Sequence, residues 1–93
     1  MKELIEANYK SIVDRGLIAP STNLFEFLDK IDEEVEELNK EALKPRPISN
    51  LPEELADVIM VCFNMAKHYN IDIEQEIKNK IEVNKQRAKN GKK

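Results

Sequence analysis

Apolar residues return along this chain at helical spacing, and the clearest run is Leu24, Leu28, Ile31, Val35, Leu38 and Ala42. Its alternating steps of four and three make one continuous stripe on an α-helix. Asn23 stands where an N-cap belongs, and Glu26 three positions on completes a variant of the capping box. Pro45 and Pro47 cannot continue a hydrogen-bonded turn, so this helix is expected to end near Leu43. Before it, Leu4, Ile5, Ile12 and Val13 predict a shorter helix from about Lys2 to Asp14. Gly16 can supply the left-handed residue that stops that helix, and Pro20 closes the linker.

The segment Lys44 to Asn50 is short enough to make the helices on either side antiparallel neighbours. A third helix starts near Leu51 or Pro52, with Asn50 as the expected cap and Pro52 acceptable in the first turn. Leu51, Leu55, Val58, Cys62, Met65, Ala66 and Tyr69 form its expected core face. Ile59, Met60, Val61 and Phe63 carry apolar surface most of the way round the same helix, which suits a helix packed inside an oligomer. A fourth helix follows Asp72, with Gln75 three residues on, and runs through Ile73, Ile77 and Ile81 to about Ala88 before Asn90 and Gly91. The expected fold is therefore all-α: one domain over residues 1–93, a four-helix bundle completed by a homodimer or a pair of dimers.

Composition supports that class, since 41% hydrophobic and 35% charged residues with two glycines fit a globular helical chain of 93 residues. A chain this short buries a modest share of its surface alone, which again favours association. Cys62 has no partner cysteine, so no intrachain disulfide is possible, and a small buried hydrophobe is its expected role. The longest apolar stretch, Val58 to Phe63, is too short to cross a bilayer, and the first residues lack a signal-peptide apolar segment. A cytoplasmic protein with no membrane partner is the expectation. Charge is unevenly placed: Glu26 to Glu41 carries a net −6, whereas Glu74 to Lys93 carries +4. The basic end fits a solvated helix terminus complementing the helix dipole, and no specific nucleic-acid partner is expected.

The acidic residues have a pattern of their own. Glu34 falls roughly 60 to 80 degrees from the middle of the apolar stripe of the second helix, with Glu37 one turn on along the same flank. Glu54 and Asp57 repeat that relation on the third helix. If the two flanks face one another in an antiparallel pair, these carboxylates converge beside a core. Like charges in that position repel and are costly to dehydrate, so they call for a cation. An all-oxygen donor set suits magnesium, whereas zinc would recruit histidine or cysteine. Glu33 points farther from the stripe and by geometry belongs to the surface; Glu36 and Glu41 are weaker candidates.

Glu33-Glu34-x-x-Glu37 on one helix and Glu54-x-x-Asp57 on the next resemble the signature of the MazG-like branch of the all-α nucleoside triphosphate pyrophosphatases. The resemblance runs from Phe25 to Arg87. It implies a magnesium-dependent enzyme that cleaves a nucleoside triphosphate between its α and β phosphates, releasing monophosphate and pyrophosphate. It also implies that Glu34, Glu37, Glu54 and Asp57 bind magnesium, with Glu33 a further ligand or the group that positions the attacking water. On the fourth helix, Lys80, Asn84 and Arg87 lie within about 60 degrees of one another. Their spacing resembles the phosphate-facing element of these enzymes, which implies triphosphate contacts for Lys80 and Arg87 and a phosphate or sugar contact for Asn84.

Two other readings stay open. Phosphoribosyl-ATP pyrophosphohydrolase shares paired acidic helices, but the spacing of Lys80, Asn84 and Arg87 fits it less well. A non-enzymatic helical oligomerisation or regulatory module would use the same acids only as solvated charge. His68, Asn64, Phe25, Phe27, Asn8 and Tyr9 receive no firm role; a lone histidine is more often a surface or capping residue, and the others fit packing at least as well as base contacts.

Overall fold

The computed structural model describes residues 2–91. Met1, Lys92 and Lys93, and with them the ends of the expected 1–93 domain and of its basic tail, lie outside the described residues. Four α-helices form where the periodicity places them: α1 (Lys2–Asp14), α2 (Leu24–Ala42), α3 (Leu51–His68) and α4 (Ile73–Lys89), with no strand among the described residues. The N-caps of α2 and α4 are made as expected. Asn23 Oδ1 accepts from the Glu26 amide at 3.0 Å, and Asp72 Oδ1 from the Gln75 amide at 3.1 Å. Gly16 takes φ +72° at the end of α1, where its amide donates to Val13 O and that of Leu17 to Ile12 O.

The proline-rich connection folds as a single 3₁₀ turn, Arg46–Ile48, tied down by Glu41. One Glu41 carboxylate oxygen accepts from Lys44 Nζ at 2.7 Å and the other from the Asn50 amide at 3.1 Å, while its carbonyl accepts from Ser49 Oγ at 2.8 Å. Asn50 does not cap α3 with its side chain; Ser49 Oγ accepts from the Leu51 amide at 3.1 Å instead. Glu41 is thus a buried hinge pin of the α2–α3 hairpin, which answers its weak candidacy as a site residue. That hairpin sets the register on which the acidic cluster depends.

Helix packing occurs between α2 and α3 and between α1 and α3. The inward face of α2 is Phe27, Ile31, Glu34, Leu38 and Glu41, all buried or half-buried, whereas Leu24, Leu28 and Val35 of the expected stripe are exposed. On α3 the inward face is Glu54, Asp57, Val58, Val61, Asn64, Met65 and His68, whereas Leu55 and Ile59 are exposed. The inward face of α2 is therefore turned by about 60 degrees, and that of α3 by about 80 degrees, from the face that apolar periodicity selects, while Ile31, Leu38, Val58, Met65 and Ala66 stay on the packed side. Cys62 follows α3 outward and is exposed, which corrects the expected buried role. Apolar residues surround much of α3, so periodicity alone does not choose between its faces.

Because α2 and α3 run antiparallel, those two rotations carry the exposed stripes to the same side of the pair. α1 lies across the other side, where Asn8 Nδ2 reaches Met60 O and Lys67 Nζ reaches Glu6 Oε1. Among the described residues α4 has no comparable seam with another helix, and Ile77, Ile81 and Val83 along it are exposed. The radius of gyration, 15.9 Å, reflects this projection. A compact chain of this length would have about 12 Å.

Candidate metal centre

The hairpin brings one carboxylate oxygen each from Glu34, Glu54 and Asp57 within 4.8 Å of one another, all three residues half-buried. One acid comes from the middle of α2 and two from the first two turns of α3, so their meeting is a direct product of antiparallel register. Burial raises the Glu54 carboxyl above its ordinary value, and the charges of Asp57, Glu34, Glu37 and Glu53 push it further in the same direction. Three acids this close, with one of them resisting ionisation, make a local deficit of positive charge.

Lys30 brings a cationic group to Glu34 of the cluster. Its Nζ lies 3.2 Å from Glu34 Oε1 and 3.8 Å from Glu33 Oε2. The hydrogen bond to Glu34 holds the Lys30 ammonium above its ordinary value against the effect of burial, with further help from the charges of Glu33, Glu34 and Asp57. Lys30 was not among the residues singled out by sequence. Its spacing of three and four from Glu33 and Glu34 on one helix was the available signal.

The remaining site residues fall outside this cluster within the chain. Glu37 is near enough for its charge to act on Glu54, but its carboxylate is exposed and paired with Lys40 at 3.3 Å. Glu33 faces solvent, as its wheel position implies. Lys80, Asn84 and Arg87 are exposed on the projecting α4. The donor set of the cluster is entirely carboxylate oxygen, which fits a hard divalent cation such as magnesium. Glu34, Glu54 and Asp57 are the residues that would hold it, whereas Glu37 is engaged by Lys40.

The two-nitrogen environment of His68 differs from that of a catalyst. Nε2 lies 2.9 Å from Thr22 O and Nδ1 lies 2.8 Å from the Tyr9 hydroxyl. A carbonyl only accepts, so Nε2 carries a proton, and in the neutral ring Nδ1 accepts from Tyr9. Phe27 and Tyr69 pack on the same imidazole, with ring centroids 4.9 and 5.0 Å away. His68 joins α1, the α1–α2 linker, α2 and α3 at one point.

A helical hairpin whose facing sides bring carboxylates together, with no strand among the described residues, defines an all-α protein with a cluster of three half-buried acids. The family model described as the MazG-like family matches residues 25–93, and the chain belongs to that family. Membership points at family level to nucleoside triphosphate pyrophosphohydrolase-type activity. The matched segment covers α2 from its second residue, α3 and α4, and leaves out α1. No match was found among the curated proteins or among the solved structures. No helix of the described residues is long and apolar enough to cross a membrane.

Proposed function

We propose that this protein is a magnesium-dependent enzyme of the cytoplasm that hydrolyses ribo- or deoxynucleoside triphosphates to monophosphate and pyrophosphate, working as a homo-oligomer. The observation that carries the reading is the convergence of Glu34, Glu54 and Asp57 oxygens within 4.8 Å on the inward faces of two helices. A merely solvated acidic face would spread its charges toward water, as Glu36 and Glu53 do here.

Bound magnesium would supply charge neutralisation of the triphosphate and a water of lowered pKa. Glu34, Glu54 and Asp57 hold the cation, with Glu37 completing the set, and Glu33 orients the attacking water. The water oxygen bonds to the α phosphorus as the bond to the bridging oxygen of the β phosphate breaks, and the water proton passes to a carboxylate. Lys80 and Arg87 bind phosphate oxygens and Asn84 a phosphate or the sugar. Because α4 projects from its own chain, these groups serve a site through assembly, from the α4 of a second copy. The exposed stripe of Leu24, Leu28, Val35, Leu55 and Ile59 gives that copy an apolar face to cover.

The test is incubation with the common ribo- and deoxynucleoside triphosphates plus magnesium, followed by separation of the products. Monophosphate and pyrophosphate are expected, lost on chelation and in Glu37→Gln, Glu54→Gln or Asp57→Asn with helix content retained. Diphosphate and phosphate as the main products would overturn the bond assigned. No turnover across the panel would favour a non-enzymatic oligomerisation module.

A further inference from the structure

A cavity of about 280 Å³ opens beside the acidic cluster, between α1, the α1–α2 linker and the α2–α3 pair. Ile12, Leu17, Ile18, Phe27 and Val61 give it apolar walls. Lys30, which bonds Glu34, also lines it, so cavity and cluster adjoin through one side chain. Much of the wall comes from residues 12–22, which lie before the segment matched by the family.

One buried polar group faces this space. Asn64 is only 5% exposed and lines the cavity. Its orientation is fixed by Asn8: the Asn8 amide nitrogen donates to Met60 O at 3.4 Å and to Asn64 Oδ1 at 2.7 Å. A backbone carbonyl can only accept, so the nitrogen end of Asn8 must lie here, and the oxygen end of Asn64 must meet it. That leaves Asn64 Nδ2 as the end that Asn8 does not engage; no buried side-chain polar atom of the described residues is left without a partner, so this end is open to the cavity and not sealed from water. A donor held in a largely apolar cavity selects for a ligand that brings an acceptor.

We propose that this cavity is the nucleobase pocket of the enzyme and that Asn64 is a specificity-determining residue, donating from Nδ2 to a carbonyl oxygen of the base. The proposal rests on the pyrophosphohydrolase reading for its substrate and goes beyond it in naming the class. Bases that carry a carbonyl, the pyrimidines and the oxo-purines, are accepted; adenine, which has none, is disfavoured. Asn8 is a positioning residue that acts through Asn64. Phosphates extending from a base seated here pass Lys30 and reach the acidic cluster, the order a nucleotide requires.

The test compares kcat/KM for uridine, inosine and adenosine triphosphates, since inosine and adenosine are alike in size and differ in the carbonyl. Uridine and inosine triphosphates should exceed adenosine triphosphate by about 10- to 100-fold, the range set by leaving one buried polar group unmatched. Asn64→Leu should bring that ratio toward one, and Asn8→Ala should reduce it while leaving Asn64 in place, which keeps the test valid if the first variant misfolds. In parallel, uridine and adenosine are titrated into the metal-free wild-type protein while the Asn64 side-chain amide is followed by NMR. Uridine shifts that amide and adenosine does not. Hydrolysis without base preference, or an unmoved amide, overturns the pocket while the pyrophosphohydrolase reading stands. A uridine-specific shift without any hydrolysis supports the pocket and overturns that reading.

Discussion

The His68 junction permits a quantitative test of what it does. Tyr9→Phe removes one hydrogen bond, from the phenol to His68 Nδ1, and leaves both rings in place. A bond of this kind contributes a net of about 0.5–1.5 kcal/mol. His68→Phe keeps an aromatic ring against Phe27 and Tyr69 but deletes the bond to Thr22 O as well, for a total of about 1–3 kcal/mol. For a domain of this size each kcal/mol lowers Tm by about 4–8 °C, so the two variants should lose about 2–12 °C and 4–24 °C. Urea unfolding followed by far-UV circular dichroism of the two single variants and the double variant completes a cycle. Once His68 is gone, Tyr9→Phe should cost almost nothing more, giving a coupling of about 0.5–1.5 kcal/mol. His68 lies eleven residues beyond Asp57, about 16 Å along α3, so a folded His68→Phe should retain hydrolysis. Additive losses in the cycle, or a folded variant without activity, would refute a purely architectural His68.

Three further outcomes follow from the same geometry. Magnesium at a hundredfold excess over its dissociation constant should stabilise the protein by about 2.7 kcal/mol, or about 10–20 °C in Tm; thermal scans of Asp57→Asn showing the same shift would remove the cation from the cluster. The Glu41 carboxyl lies below its ordinary value of 4.5 because of its bond to Lys44, then that to the Asn50 amide. Its contribution is therefore present above that ordinary value and disappears as pH falls through the lowered one. The Tm gap between wild type and Glu41→Gln should be constant near neutrality and close in acid, and a gap that widens in acid would contradict this sign. Sedimentation should find a dimer or larger species, converted to monomer by Leu28→Glu or Ile59→Glu, whereas a wild type that is already monomeric would leave the exposed stripe without a purpose.

Helix number and limits were legible because caps, prolines and glycines act locally: Asn23, Asp72, Pro45 and Gly16 each do what their chemistry dictates. The orientation of the helices was less legible. Apolar periodicity pointed to Leu28 and Val35, yet Phe27 and Glu41 are the buried residues of α2. A chain that leaves one apolar face uncovered carries two stripes, and a sequence does not say which is filled from within. The same turn of the helix moves Glu34 from the flank to the interface, so the acids meet more directly than their wheel positions implied. Glu34, Glu54 and Asp57 were legible as a set because each sits one turn or less from an apolar position. Lys30, Asn8 and the Tyr9–His68 pair owe their placement to contacts across more distant elements or to charges on the same helix that only the folded cluster makes meaningful.

The solitary path of α4 has a thermodynamic corollary. Its seventeen residues make a rod about 25 Å long, and a rod of that length in water gains little from its own backbone bonds. Its order must then be borrowed from whatever lies alongside, so coiling of this last helix, under a fifth of the chain, is tied to protein concentration. Dilution would unwind α4 while the hairpin survives, and the amides from Ile73 onward would exchange with solvent long before those of Val61 or Phe27.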